Sequence, residues 1–352
     1  MKKVLLIFAL AVLLRIWHLP ETAQFSYDEA RDATAEKSIL NGKLTLLGPE
    51  SQIGSKTIYF GPLHYYLMAP ALKFSDYNPL GPYFLTAIIG GLTAALLAYF
   101  FSPAAGFFYA VFPLAVIYNR WAWNPNTIPF FIVLALIFAS KNKYFFAGLF
   151  AGLATQLHWS AILILIFMLR PKVILGFIFG LLPIIIFDLR YNFLYSRSLL
   201  ELINGPISRG LTWHYFLWLI PILAIKLPKK ILLILIIVSV ILIKIPKSVD
   251  ALNPYYVRQM AKIIAYDQLE KPDLTFNVVS FYGGDFRANN LRYFLEVSPL
   301  GYSEYDVADH LYVVAPESPM YNGLWEIRSF NPKRISKTWQ VGGTNIYRLE
   351  KL

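Results

Sequence analysis

The sequence predicts an α-helical polytopic membrane protein of about nine transmembrane helices, with a small extracytoplasmic α/β domain at its carboxyl end. Three observations predict it. Charged residues make up only 15% of the 352 residues, hydrophobic residues 57%, and mean hydropathy is +0.51. A soluble domain typically carries about 25% charged residues. The acidic residues are also unevenly placed: six lie between Glu21 and Glu50, twelve lie from Asp250 onward, and none occurs between Tyr77 and Phe187. A carboxylate in hydrocarbon is costly, so an acid-free stretch of this length reads as membrane. Finally, basic residues collect at alternate turns. A cytoplasmic start places Lys2 and Lys3, Lys141 and Lys143, Arg170 and Lys172, and Lys226, Lys229 and Lys230 on the inner side, as the positive-inside rule expects.

The expected spans cover residues 3–18, 79–101, 104–118, 127–139, 144–157, 159–169, 173–187, 212–225 and 231–245. Several fall short of the ~20 residues a perpendicular span needs. The stretch 144–169 reads as two segments, because one long helix would put Lys143 and Arg170 on opposite sides. Met1-Lys2-Lys3 and the apolar run after it resemble a signal peptide, but no small-x-small cleavage site follows, so the segment reads as a retained anchor. Trp17 and His18 suit a membrane interface, and Arg15 is expected to snorkel outward, with reach into the candidate site as the alternative. Residues 1–249 are thus the membrane part, with an external loop at 20–78, and residues 250–352 the soluble part. In the latter, residues 255–269 and 289–297 read as helices, 274–281 and 311–315 as strands, and 335–341 and 345–349 as a hairpin around Gly342-Gly343.

The external loop carries the candidate chemistry. Ser26 can cap a helix over Tyr27–Leu40, and Asp28 and Glu29 in its first turn favour the helix dipole. Ala30, Ala33, Ala35 and Ile39 suit a face lying on the membrane surface. Downstream, Lys56, Tyr59 and His64 fall in an aromatic tract in which Pro62 can open a helix. Each feature also has a plain structural reading: the acids as helix-dipole partners, the aromatics as an interfacial belt.

Tyr27-Asp28-Glu29-Ala30-Arg31-Asp32-Ala33 after a first apolar helix, with Gly61-Pro62-Leu63-His64-Tyr65-Tyr66, Asn119-Arg120, Asn124 and Gln156-Leu157-His158, resembles the GT-C membrane glycosyltransferases. The nearest relatives in pattern are the lipid A aminoarabinose transferases, the bacterial mannosyltransferases and the protein O-mannosyltransferases. The resemblance covers roughly residues 1–190. It implies transfer of a sugar from a polyprenyl-phosphate donor to an extracytoplasmic lipid, glycan or protein acceptor, with inversion, in the plasma (inner) membrane. It implies Asp28 as the base and Glu29 as the residue orienting Asp28 or an active-site divalent cation; no metal site is otherwise assigned. Lys56, Tyr59, His64, Arg120, Asn124, His158 and Arg190 become the candidates for binding donor and phosphate. Alternatives remain for the cations: Arg120 as an interfacial anchor, His158 as a satisfied interfacial histidine, Arg190 as the partner of Asp188. The rival functions are a transporter or flippase for lipid-linked glycans, and a scaffold.

Other chemistries are excluded or weak. There is no cysteine, hence no thiolate chemistry. No phosphate-binding G-x-x-x-x-G-K-[ST] or H-E-x-x-H motif occurs. Gly283-Gly284-Asp285 is too short for a nucleotide fingerprint, and the five histidines lack metal spacing. The net charge of +11 is explained by basic loop ends, so no nucleic-acid partner is expected.

Overall fold

The computed structural model describes residues 1–53, 56–203, 213–244, 247–296, 302–320 and 323–351. The side chains of Gln52, Ile53, Lys56, Leu202, Ile203, Trp213 and His214 fall outside that description, as do the expected element ends at Thr212, Ile245 and Val297. The protein is mostly helical with a small sheet region. Its chain divides into two compact units. The first holds residues 1–19, 35–77 and 81–245; the second holds 20–34, 78–80 and 246–352. Residues 20–34 therefore fall in the unit of the C-terminal domain and not with the apolar helices.

In chain order the principal helices are α1 (Lys2–Ile16), α2 (Tyr27–Leu40), α3 (Leu63–Phe74), α4 (Leu80–Phe100), α5 (Pro103–Val111), α6 (Pro113–Tyr118), α7 (Ile128–Ser140), α8 (Tyr144–Leu157), α9 (Pro171–Gly180), α10 (Leu182–Arg190), α11 (Leu194–Ile203), α12 (Leu219–Lys226), α13 (Lys229–Leu242), α14 (Pro254–Leu269), α15 (Asn289–Leu295) and α16 (Trp325–Phe330). The strands are β1 (Glu50–Ile53), β2 (Lys56–Tyr59), β3 (Phe276–Ser280), β4 (His310–Ala315), β5 (Arg334–Val341) and β6 (Thr344–Glu350).

The expectation of nine transmembrane helices is not met. Among the described residues one helix, α4 with 21 residues, is long and apolar enough to cross a membrane. A second span arises only if α9 and α10, bent by 65°, count as one. Hydropathy registers apolar runs but not the points at which they break. Proline opens α5, α6 and α9, and the run 159–167 winds as a 3-10 helix. The 14 residues of α8 extend about 21 Å at 1.5 Å per residue, short of a ~30 Å hydrocarbon core.

The break between α5 and α6 explains a second departure. Arg15 does not snorkel outward but is fully buried. Pro113 has no N–H to offer the Tyr109 carbonyl one turn before it. The Arg15 guanidinium takes that place, donating to the carbonyls of Tyr109 at 3.2 Å, Ala110 at 3.0 Å and Ala11 at 3.0 Å, and to Asn119 Oδ1 at 3.2 Å.

The 144–169 stretch is two segments, as read from the charges. The chain turns at His158, and Arg170 returns to stack over the Tyr144 ring at 4.3 Å. Lys141 lies over Phe100 at 4.5 Å. The basic residues at 141, 143, 170 and 172 therefore share one end of the first unit. Helices α8 and α9 run parallel and approach through reciprocal glycines. A Cβ at Gly148 would lie 1.9 Å from the Val173 carbonyl oxygen, and one at Gly176 would lie 1.9 Å from that of Phe145. One turn on, Gly152 and Gly180 face each other, with a Cβ on either 2.8 Å from the other's Cα. Each helix thus carries G-x-x-x-G, the spacing that lets apolar helices gain dispersion contacts where hydrophobic burial offers no drive. Gly148→Ala or Gly176→Ala should destabilise the unit by about 1–3 kcal/mol, since backbone must move. Thermal unfolding of the two variants checks this, and an unchanged midpoint would contradict the packing.

In the second unit the sheet order is β3-β4-β6-β5, with β3 and β4 parallel and the other pairs antiparallel. α15 supplies the crossover between β3 and β4. Both strands are buried throughout, which their apolar runs require. Val278, Tyr312, Val314 and Ile346 pack toward α14 and α15; Leu311, Val313, Tyr347 and Leu349 pack toward α16. The edge strand β5 is largely exposed and carries Arg334 and Lys337, charges that discourage further pairing.

One end of this sheet holds an ionic network. Asp267 accepts from Arg348 Nη1 at 2.6 Å, Lys337 Nζ at 2.5 Å and the Tyr312 hydroxyl at 2.8 Å. Glu350 takes Arg348 at 2.9 Å and Arg334 at 2.7 Å, with His310 Nε2 at 3.5 Å. Burial alone would raise the Asp267 and Glu350 carboxyls, but the hydrogen bonds, from Lys337 and from Arg334 first, hold both below their ordinary values. Burial, with Arg348 nearby, also lowers His310. All three groups bind protons more readily in the unfolded chain, so each withdraws stability as pH falls. His310 acts downward from about pH 6.5, and the carboxylates below about pH 4. Hydrogen exchange at the β4 and β6 amides of the full chain should accelerate in that order. Asp267→Asn should flatten the loss below pH 4.

Candidate functional site

Asp28 and Glu29 belong to the second unit; the other expected site residues belong to the first. The helix expected over Tyr27–Leu40 forms as α2. The Ser26 N–H donates to Glu29 Oε2 at 2.9 Å, and the Ser26 hydroxyl donates to the same oxygen. Ser26 and Glu29 are the first and last of four successive positions in one capping arrangement, in which the acid reaches back to the residue before the helix. Glu29 is accordingly buried, and in these contacts it fixes the start of α2.

Asp28 has a different setting. Its side chain is 43% exposed, and Oδ1 accepts from Arg31 Nη1 at 2.9 Å. The same guanidinium grips Asp32 Oδ1 through Nε at 2.8 Å and Nη2 at 2.7 Å, and it lies 5.9 Å from the Tyr27 ring centre. Asp32 is buried. Arg31 is thus anchored at depth by Asp32 and holds Asp28 at the surface, the geometry a planar, multiply donating cation provides. Of the expected apolar face of α2, Ala30 and Ala33 are buried and Ala35 and Ile39 half-buried. The buried positions are Glu29, Ala30, Asp32, Ala33 and Glu36, a mixed face with three acids at helical spacing.

The segment before Asp28 is tied to the C-terminal domain. Phe25 is fully buried, its ring 5.4 Å from that of Tyr293 and 5.6 Å from that of Phe294. Its N–H donates to the Leu252 carbonyl at 2.5 Å, and its carbonyl accepts from the Asn290 amide at 3.1 Å. The Asn253 amide donates to the carbonyls of Pro20 at 2.8 Å and Ala23 at 3.3 Å. Phe25, Arg31, Asn253 and Asn290 were not singled out from sequence. Arg31 had a local signal, three residues after Asp28. The two asparagines have none, being more than 220 positions away.

In the first unit several of the singled-out segments converge. Pro62 precedes α3 as expected. The Gly61 N–H donates to the Gln156 carbonyl at 2.8 Å, and the Leu63 N–H to its side-chain oxygen at 3.3 Å. The Asn124 amide donates to the Leu157 carbonyl at 2.6 Å. His158 lies flat on Tyr215, ring centres 4.2 Å apart, with Phe60 at 5.2 Å. Its Nδ1 accepts from the Ser160 N–H at 3.2 Å, so a neutral ring carries its proton on Nε2.

The remaining candidates are more scattered. His64 is fully buried beside Tyr65. Arg120 Nη1 donates to the carbonyls of Leu14, Arg15 and Trp17 at 3.3, 2.7 and 2.8 Å, so it closes the C-terminal end of α1. Arg190 is exposed, with its guanidinium 5.8 Å from the Tyr191 ring. Its suggested partner Asp188 instead caps α11, accepting from the N–H groups of Tyr195 at 2.8 Å and Ser196 at 3.1 Å. Tyr59 is partly exposed at the end of β2 and lines a cavity. Lys56 opens β2, its side chain outside the described atoms.

Among the described residues no group of three or more His, Asp or Glu is placed to hold a metal ion, and Asp28 Oδ1 already takes a guanidinium. Chemically, the α2 terminus offers a solvent-accessible carboxylate whose orientation is fixed by a guanidinium and whose backbone is fixed by Phe25. Compared with protein-family models, curated proteins and solved structures, the chain matches none.

Proposed function

We propose that the protein is a membrane glycosyltransferase that moves a sugar from a polyprenyl-phosphate donor to a hydroxyl-bearing acceptor on the extracytoplasmic face. The observation that carries the reading is the Asp28–Arg31–Asp32 arrangement at the start of α2, in the segment that follows the apolar helix α1 in sequence. Asp28 is accessible enough to accept a proton, and Arg31 holds it in one orientation. In the proposed reaction Asp28 takes the acceptor hydroxyl proton while that oxygen attacks the anomeric carbon. The bond from carbon to phosphate oxygen breaks, polyprenyl phosphate leaves, and the configuration inverts. Arg31 is a positioning residue.

Residence in the plasma membrane is supported by the reciprocal glycine packing of α8 and α9 and by the exposed apolar faces of α9 and α13, among them Ile178, Phe179, Ile234 and Ile241. The shared end of Lys141, Lys143, Arg170 and Lys172 is read as cytoplasmic. A reporter fused after Lys143 should therefore be cytoplasmic, and one fused after Leu352 external. A cytoplasmic carboxyl terminus would remove the second unit from the side where the donor is used. Function is tested by mass spectra of cell-envelope glycans from cells with the protein, without it, and with Asp28→Asn. One glycan should lose a single sugar in the last two; identical spectra in all three would refute the reading.

A further inference from the structure

Within the first unit, β2, the start of the 3-10 segment, α10 and α11 enclose a cavity of about 200 Å³. Ile58, Tyr59, Trp159, Phe187, Tyr195 and Leu199 form most of its wall. The volume is below the 300–1,000 Å³ of a pocket for a whole drug-sized ligand. It exceeds the ~150 Å³ of an apolar cavity that admits benzene. It suits one ring or a short length of chain.

Two wall residues make this more than a packing gap. Trp159 Nε1 and the Tyr195 hydroxyl are both buried, and among the described residues neither has a hydrogen-bond partner. Tyr195 is only 7% exposed, and the two rings are 5.4 Å apart. An unpaired buried donor is costly, and native structures rarely keep one without a reason. Water answers less well than an apolar ligand: among the described residues the wall's other polar groups are the hydroxyls of Tyr59 and Ser198, and that of Ser198 already donates to the Leu194 carbonyl at 2.9 Å. The indole N–H can only donate and the phenol can donate, so the missing group is an acceptor. No charged side chain is among the described wall residues, which disfavours an ionised carboxylate or phosphate. What remains is an apolar body carrying a neutral acceptor oxygen.

We propose that this chamber binds the carbonyl end of an acyl chain, with Tyr195 and Trp159 as donors to the carbonyl oxygen. Exposed apolar residues next to the wall residues in sequence, Ile186, Leu189 and Phe193, give the rest of the chain an apolar surface to follow. The carbonyl can come from a glycerolipid ester or from an un-ionised fatty acid. The inference rests on the cavity and not on glycosyl transfer.

The test is photo-crosslinking of the purified full chain with three diazirine probes: a phosphatidylglycerol, palmitic acid and a plain alkane. At least one acyl probe should label peptides containing residues 58–59, 159 or 187–199 about tenfold more than the alkane does. Labelling by phosphatidylglycerol alone identifies the ester, and labelling by palmitic acid alone the free acid. Leu199→Trp fills the chamber and should abolish this labelling while labels on α13 persist. Should that variant fail to fold, Tyr195→Phe serves instead. Loss of one hydrogen bond should cut acyl labelling roughly three- to tenfold, while raising the melting temperature of the delipidated protein by removing an orphaned hydroxyl. Equal labelling by alkane and acyl probes, or acyl labelling indifferent to Tyr195→Phe, overturns the proposal.

Discussion

Asp28→Asn should lower turnover of the lipid-linked donor by about 10²–10⁴-fold, with the protein still folded. The substitution keeps shape and a hydrogen-bond acceptor for Arg31 but removes the basicity that proton transfer needs. Because Asp28 is 43% exposed and sits at the start of α2, folding should change little; helix-dipole and surface-pair effects are each under about 1 kcal/mol. Glu29→Gln should behave differently. Glu29 bonds Ser26, so its loss should appear as looser capping of α2 and a milder fall in turnover. A fully active, folded Asp28→Asn protein would remove Asp28 from the chemistry.

Phe25→Ala should cost about 3–5 kcal/mol, the range for truncating a buried Phe. Against a total of about 5–15 kcal/mol for a domain, that threatens the whole second unit. Phe25 is fully buried between Tyr293 and Phe294, and both of its backbone polar groups are committed. Hydrogen exchange should show residues 20–34 opening first, before the β3–β4 core. Asn290→Ala should give a weaker version, about 1–3 kcal/mol, by leaving the Phe25 carbonyl without its amide donor. Turnover should fall in both variants although Asp28 itself is intact. Unchanged exchange at 20–34 in Phe25→Ala would mean that the C-terminal domain does not position the carboxylate.

The C-terminal domain was largely legible because its signals are local. The helix 254–269 shows amphipathic spacing, and β3 and β4 are short apolar runs. The Gly342-Gly343 turn joins Val341 to Thr344, the residues paired at the hairpin's end. The charge pattern likewise placed Lys143 and Arg170 at one end. The apolar helical block was less legible, because hydropathy sums over a window and does not register where proline cuts a helix. Pro113 both shortens α5 and frees the carbonyl that draws Arg15 inward, two consequences of one missing N–H. The G-x-x-x-G spacing at 148 and 152 and at 176 and 180 was not read from the sequence, because its meaning depends on α8 and α9 running parallel. At the candidate site, the helix start at Ser26 and the acids of its first turn were read from adjacent residues, whereas the bond between Ser26 and Glu29 was not. The clamp on Phe25 by Asn253 and Asn290 joins positions far apart and has no local trace. The cations were chosen by position alone, and Arg120 turned out to bind the carbonyls at the end of α1.

The most direct measurement is donor turnover by the purified full chain in liposomes. A panel of hexosyl and pentosyl polyprenyl phosphates would be offered with envelope extract as acceptor, and release of polyprenyl monophosphate followed. The account predicts release from at least one donor, a product of inverted anomeric configuration, and loss of about 10²-fold or more with Asp28→Asn. No release from any donor by folded protein, or equal release by the Asp28→Asn variant, would contradict it.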